Sequence, residues 1–268
     1  MSKRILFLLL LTMLLSACGS NSSWEDEAVS EVSDRILADD VEAVWTLERN
    51  QASAAAAGTM IRLEIKKKDG GPIDAFDINH EKLLHLIVVS KDLSYFNHIH
   101  PEYKGNGVFE IVNDFPAGGE YRMIADFTPT GGDPMTKMAW VRVEGEQAKP
   151  VPVVPDETLE KTADGNRVKL AIDPLASKKE LTLKFTIADE KTGKPVTDLE
   201  PYLGAIGHVV ILTEDGERYL HVHADEGQGT GPEAVFETAF PKSGIYKIWG
   251  QFQRENKVFT ASYVVRVP

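Results

Sequence analysis

The sequence predicts an all-β protein with two tandem β-sandwich domains, which follow a cleavable N-terminal segment and a short tether. Two observations lead to this prediction. From about residue 41 onward, short segments rich in Val, Ile, Leu, Phe and Tyr alternate with Gly, Pro, Asp and Asn, as strands alternate with turns. In addition, residues 85–100 and 208–223 follow one pattern 123 positions apart, which indicates an internal repeat.

Composition limits the classes of function. The chain has 268 residues, of which 43% are hydrophobic and 26% charged, as in ordinary globular proteins. Its net charge of −12 argues against a nucleic-acid partner, since such partners are bound through basic surfaces. The single cysteine excludes an intramolecular disulfide and a cysteine-rich metal site.

Residues 1–17 have the features of a signal peptide. Lys3 and Arg4 precede an apolar run at 5–15, which as a helix would be roughly 16 Å long, about half of a bilayer core. The sequence Leu15-Ser16-Ala17-Cys18 then resembles the lipobox of bacterial lipoproteins. This resemblance implies that Cys18 is lipidated and anchors the chain to the extracytoplasmic face of the cell membrane. The alternative is an ordinary secretory signal with a chance cysteine.

The remainder divides into four segments. Residues 18–39 are polar and acidic, as in a tether, and residues 40–146 form the first repeat. Residues 147–157 contain Pro150, Pro152 and Pro155, which remove backbone donors and favour extended geometry, so we expect an interdomain linker. Residues 158–268 form the second repeat.

The repeats share motifs beyond their strand pattern. HLIVVSKDLSYFNHIH in the first copy aligns with HVVILTEDGERYLHVH in the second, with four of sixteen positions identical. Further on, FPAGGEY at 115–121 aligns with FPKSGIY at 240–246. Each unit has about 100 residues and roughly seven short strands, which is typical of an immunoglobulin-like sandwich without its disulfide. An eight-stranded barrel in each unit is the structural alternative.

The paired HxH strands, the acidic residue that follows them and the later Phe-Pro-x-x-Gly-x-Tyr resemble the YtkA-like and FixH-like domains of bacterial envelope proteins. The resemblance covers both repeats, approximately residues 40–145 and 158–268. It implies an immunoglobulin-like sandwich in the cell envelope and the handling of copper or another metal. It implies no established activity.

Three histidines in each repeat have the spacing His-x12-His-x-His. A hairpin closed at Asp215-Gly216 places His208 opposite His223, with His221 on the same face. In the first repeat the turn is Asp92-Leu93, whose poorer turn chemistry leaves a longer loop open. Three imidazoles at hairpin spacing suit one Cu²⁺ or Zn²⁺ ion. We therefore predict one metal site in each repeat, formed by His85, His98 and His100 and by His208, His221 and His223.

Two acidic residues are candidate fourth ligands, if each strand continues past its histidines: Glu102 in the first repeat and Asp225 in the second. Affinity should fall as the pH drops through about 6.5, because only neutral imidazole binds metal. His80 aligns with Leu203 and is therefore predicted to be a loop histidine without a role in the site.

The predicted function is extracytoplasmic metal binding by a lipid-anchored protein that buffers or delivers copper or zinc, with a metal-trafficking or envelope protein as partner. The alternative is a non-metal scaffold for a protein, peptide or glycan, in which the histidines are structural or solvated. We do not expect an enzyme, because the sequence has no Gly-rich phosphate loop, nucleophile elbow or HExxH motif. Metal-activated water at a three-histidine site would be the one physical route to catalysis.

Overall fold

The computed structural model of the protein describes residues 35–49, 58–220, 222–224 and 227–268. The signal segment, Cys18 and nearly all of the tether lie outside these residues. The chain from Ile36 to Pro268 forms one compact unit, which contains both repeats. Its regular structure is strand throughout the described residues, apart from one 3-10 turn at Ala38–Asp40. No helix in the described part of the chain is long and apolar enough to cross a membrane.

The first repeat is a sandwich of two antiparallel sheets. One has the strand order β1-β2-β7-β6 and the other β5-β4-β8-β9, with the short β3 pairing at the end of β8. In chain order these are the A-B-E-D and C′-C-F-G sheets of an immunoglobulin domain. The strands are β1 (Val41–Arg49), β2 (Thr59–Lys67), β3 (Phe76–Asp77), β4 (Leu84–Ser90), β5 (Phe96–Ile99), β6 (Glu102–Gly105), β7 (Val108–Asn113), β8 (Gly119–Pro129) and β9 (Met135–Val143).

The second repeat has the same architecture. Its sheets have the orders β10-β11-β12-β16-β15 and β14-β13-β17-β18, so β10 is an extra edge strand, and only an isolated bridge between Glu200 and Gln253 stands where β3 pairs in the first repeat. The strands are β10 (Glu160–Ala163), β11 (Asn166–Asp173), β12 (Glu180–Asp189), β13 (His208–Thr213), β14 (Tyr219–Leu220), β15 (His223–Ala224), β16 (Glu233–Ala239), β17 (Gly244–Arg254) and β18 (Lys257–Val267). The predicted all-β tandem sandwich is confirmed. The barrel alternative is wrong, because each repeat divides into two separate sheets.

The two hairpins that carry the histidine motifs have one register. Val89 pairs with Phe96 in the first and Leu212 with Tyr219 in the second, as predicted from a turn at Asp215-Gly216. The two-residue turn is wrong in both repeats, and the longer loop expected as an option for the first is present in each: the amide of Ser90 donates to the carbonyl of Tyr95, and that of Thr213 to Arg218, which leaves loops 91–94 and 214–217. Leu93 takes the left-handed position of Gly216, with φ of 58° against 70°. Left-handed backbone costs a leucine about 1–2 kcal/mol. Full burial of the Leu93 side chain offsets this cost, since it contributes about 1.5–3 kcal/mol.

Most strands alternate between buried and half-exposed residues, but β4 is buried on both faces. Leu86 and Val88 belong to the core of the first sandwich, whereas Ile87 and Val89 belong to a cluster shared by both repeats. Phe96 of the first repeat stacks there on Trp249 of the second, with ring centroids 4.9 Å apart. We call this the inter-repeat cluster. Its buried members are Ile87, Val89, Leu93, Ile124, Val210, Leu212 and Trp249.

Polar contacts also join the two repeats. Glu217 accepts hydrogen bonds from Nη2 of Arg122 at 3.0 Å and from Nε1 of Trp140 at 2.7 Å. The linker segment has no regular structure, but the amide of Val151 donates to Asp92 Oδ2 at 2.8 Å, and Val153 packs against the inter-repeat cluster. The two sandwiches are therefore docked on each other through the sheets that carry His85 and His208.

Candidate metal centre

His85 and His98 lie on the sheet face of the first repeat that is directed at the second repeat. His85 is two residues before Ile87 on β4, and His98 on β5 is paired with Ile87. Paired residues and i,i+2 neighbours share a face, so both histidines lie on the side of the inter-repeat cluster. His100 follows the end of β5, where the chain crosses to the other sheet and begins β6 at Glu102.

These three imidazoles converge. Nδ1 of His85 lies 3.1 Å from Nε2 of His98 and 3.2 Å from Nε2 of His100. One ring nitrogen of each histidine lies within 4.8 Å of the other two. Two nitrogens bound tetrahedrally to one zinc ion are about 3.3 Å apart, given Zn–N bonds of about 2.05 Å. The spacing therefore fits three ligands of a single ion.

The other ring nitrogens of His85 and His98 are held by oxygen acceptors. Nε2 of His85 donates to the backbone carbonyl of Asn79 at 2.9 Å, and Nδ1 of His98 donates to Oε1 of Gln251 at 2.8 Å. The amide nitrogen of Gln251 donates to Oγ1 of Thr260 at 3.3 Å, which directs Oε1 to His98. Both neutral rings consequently direct an unprotonated nitrogen at the centre of the cluster.

Two more histidines border this group, one from each repeat. The His208 ring centroid lies 6.0 Å from that of His85 and 5.9 Å from that of His98. The His80 ring lies 4.9 Å from His208 and 6.2 Å from His85. His208 makes a hydrogen bond to the backbone of Leu203, while its Nε2 is buried without a partner. The second repeat thus contributes a histidine to the first repeat's cluster.

Burial keeps these imidazoles neutral. Desolvation, followed by repulsion from neighbouring histidines, lowers the pKa of His98, His100 and His208 to about 3. Desolvation also lowers the pKa of His85, although its bond to Asn79 opposes the shift. The prediction that metal affinity falls as the pH drops through about 6.5 assumed the pKa of an exposed histidine, and it is therefore wrong for this cluster. The imidazoles are ready to bind metal well below that pH.

The remaining predicted ligands are placed differently. Glu102 has to be corrected, because the strand of the HxH motif does not continue: β6 belongs to the opposite sheet, and the exposed Glu102 carboxylate pairs with Nζ of Lys104 at 2.6 Å. In the second repeat the chain also changes sheets, since the backbone of His223 pairs with Glu237 of β16. His221 and Asp225 lie outside the described residues, as does the side chain of His223, so the second trio stays a prediction.

Sequence reasoning missed Gln251. Gln251 aligns with Asp126, and the two residues lie opposite His208 and His85 in their sheets, although neither the acid nor the amide is repeated in the other copy. His80 lies in a turn, in agreement with the loop histidine predicted from its lack of a counterpart in the second repeat. It stands in a tight turn, Asn79 to Lys82, where His80 and Glu81 have φ of 45° and 64°.

Comparison with known proteins identifies the repeat unit. The sequence model of a family described as "Domain of unknown function (DUF8832)" matches residues 38–145 and again residues 161–268. The two matches confirm the tandem repeat, while the likeness to YtkA-like and FixH-like domains stays a prediction. No curated protein matches the chain.

Two solved structures resemble the chain only weakly. Domains 4 and 5 of the S-layer protein SbsC are 12% identical with a TM-score of 0.21, over 84% of this chain and 96% of that one. The D00-D0 domain of intimin is 12% identical with a TM-score of 0.22, over 82% of this chain and 99% of that one. At these TM-scores neither structure bears on function.

Proposed function

The chain belongs, through both of its repeats, to the DUF8832 family of unknown function, and from that premise we propose that it is a metal-binding protein of the cell envelope. It binds one Cu²⁺ or Zn²⁺ ion through His85, His98 and His100, and it buffers the ion or delivers it to another envelope protein. Lipidation of Cys18 anchors it to the extracytoplasmic face of the membrane.

One observation supports metal binding over a packing role. His85 and His98 each donate one ring N–H to an oxygen outside the cluster, so their other nitrogens face each other at 3.1 Å as two lone pairs. Packing alone gives no reason to bring two acceptors so close. A cation between them does, and an N–H bonded to a carbonyl oxygen is the usual support of a metal-binding histidine.

The ligand set indicates which ions fit. Neutral imidazoles bind Zn²⁺ and Cu²⁺ well, whereas Ca²⁺ and Mg²⁺ require oxygen ligands. Because His85 is buried and the second nitrogens of His85 and His98 are occupied, the geometry suits retention of an ion more than turnover of a substrate. We therefore propose binding and not catalysis.

The test is a titration of residues 19–268, which include the whole compact unit, with Zn²⁺ and Cu²⁺ against a competing chelator. We expect saturable binding in the wild type, and loss of one bound equivalent when His98→Ala and His100→Ala are combined. The control is Asn97→Ala, because Asn97 lies between the two histidines and its amide donates to Asn113 at 2.9 Å. Its binding should equal that of the wild type.

The outcome also separates the two functional classes. No saturable binding by the wild type, or an unchanged stoichiometry in the double variant, would contradict the metal site. Either result would favour the scaffold hypothesis, in which the histidines are structural and the protein recognises a protein, peptide or glycan.

A further inference from the structure

The proposed metal site needs a fourth ligand, and the surroundings of His208 suggest which residue supplies it. A zinc site with three histidines has a fourth position to fill. The candidate expected from the sequence, Glu102, is paired with Lys104 on an exposed strand of the opposite sheet. His208 comes from the other repeat, and its Nε2 is buried in the described structure without a hydrogen-bond partner.

We propose that the two repeats hold a single metal ion jointly, with His208 of the second repeat as the fourth ligand beside His85, His98 and His100 of the first. This inference rests on the proposed function. Under this proposal the protein has one metal site at the junction of the repeats instead of one site in each repeat. The bound ion then links the two sandwiches.

The ring geometry is close to that of a four-histidine site. The centroids of His85, His98 and His100 are 4.9–5.3 Å apart, while His208 lies 5.9–6.0 Å from two of them. A shift of about 1 Å would bring His208 into the same shell, within the range of ordinary side-chain adjustment on binding. Its hydrogen bond to the backbone of Leu203 supports its ring as Asn79 supports the ring of His85.

A second contact independently shows that the repeats cooperate at this site. Nδ1 of His98 is bonded to Gln251 on β17 of the other repeat, 153 residues away in the chain. The second repeat therefore already orients a ligand of the first. It supplies this support next to His208, because Gln251 and His208 are paired residues on neighbouring strands.

The experiment measures Zn²⁺ binding to residues 19–268 by competition with a chelator, in the wild type, His208→Ala and His80→Ala. His80 is the matched control, because its ring also borders the cluster, 4.9 Å from His208. We expect one ion per chain in all three, with affinity at least tenfold weaker in His208→Ala and less than threefold weaker in His80→Ala.

X-ray absorption spectroscopy of the zinc-loaded wild type gives a second readout that needs no variant. Four imidazoles are expected, and three imidazoles with an oxygen would overturn the proposal. So would an unchanged affinity in His208→Ala, or two ions per chain of which that variant loses one. These results differ from failure of the proposed function, in which the wild type binds no Zn²⁺ at all.

Discussion

The bond between His98 and Gln251 is a contact by which the second repeat orients a proposed ligand of the first. Because the carbonyl oxygen of Gln251 accepts from Nδ1, it selects the tautomer of His98 whose Nε2 is free. A carboxylate would do the same, whereas an apolar side chain would leave the ring free to choose the other tautomer. The identity of this acceptor should therefore affect metal binding directly.

We expect Gln251→Leu to weaken Zn²⁺ affinity by about 10–100-fold, the usual effect of removing a supporting contact from a metal-binding histidine. The variant Gln251→Glu should keep most of the wild-type affinity, since the glutamate carboxylate can still accept the N–H of His98. Competition titrations of both variants check this. Equal affinity in Gln251→Leu and the wild type would show that Gln251 does not orient His98.

At the scale of strands, β4 explains both what the sequence predicted and what it did not. Local alternation and the turn expected at Asp215-Gly216 predicted the register of the second hairpin, and the repeat transferred it to the first. That register predicted that His85, His98 and His100 lie close together. Local alternation does not show where a strand leaves its sheet, so the departure of Glu102 to β6 was not predictable. The apolar run from Leu86 to Val89 was a usable signal, because such a run indicates burial on both faces.

The outer face of β4 gains its burial from Trp249, which is 3% exposed and stacked on Phe96 across the junction. Trp249→Ala should lower the free energy of unfolding by about 3–5 kcal/mol, the usual cost of deleting a large buried aromatic side chain. Urea unfolding of the metal-free chain measures the change. Val258→Ala on β18 is the control, since Val258 is 40% exposed, and should change stability by less than about 0.5 kcal/mol. Equal effects of both would place Trp249 outside any stabilising interface.

At the scale of the whole molecule, the two repeats meet as two subunits of a symmetric dimer would. Equivalent residues occupy the junction from both sides: Ile87 and Val210, Val89 and Leu212, and Ile124 and Trp249. The polar positions have diverged, however, since Gln251 holds His98 while its counterpart Asp126 contacts Tyr219. In a symmetric dimer both subunits present the same residues to the interface, so the two polar positions could not differ in this way.

The buried histidines should make the metal-free protein sensitive to acid. His98, His100 and His208 have a pKa of about 3 when folded and about 6.5 when unfolded, so the unfolded chain binds more protons between these values. The contribution of these neutral imidazoles to the free energy of unfolding is therefore fully present above pH 6.5. It falls as the pH is lowered, by about 1.4 kcal/mol per pH unit for each proton that only the unfolded chain binds. Asp126 has the opposite effect and offsets one of the three histidines. Burial raises its pKa in the folded state to about 6, so below that pH the folded chain binds a proton at Asp126 that the unfolded chain does not.

These three histidines less Asp126 give a net difference of about two protons, and His85, whose pKa is also lowered, adds to it, so we expect a loss of at least roughly 3 kcal/mol per pH unit between pH 6 and pH 4. Urea unfolding in the presence of a chelator, at pH 7.5, 6 and 5, measures this slope. His100→Gln removes one of the titrating groups and should reduce the slope by the share of one proton, about 1.4 kcal/mol per pH unit. A stability that stays constant from pH 7.5 to pH 5 would contradict the burial of neutral imidazoles at the junction, because each of them must resist a proton that the unfolded chain accepts.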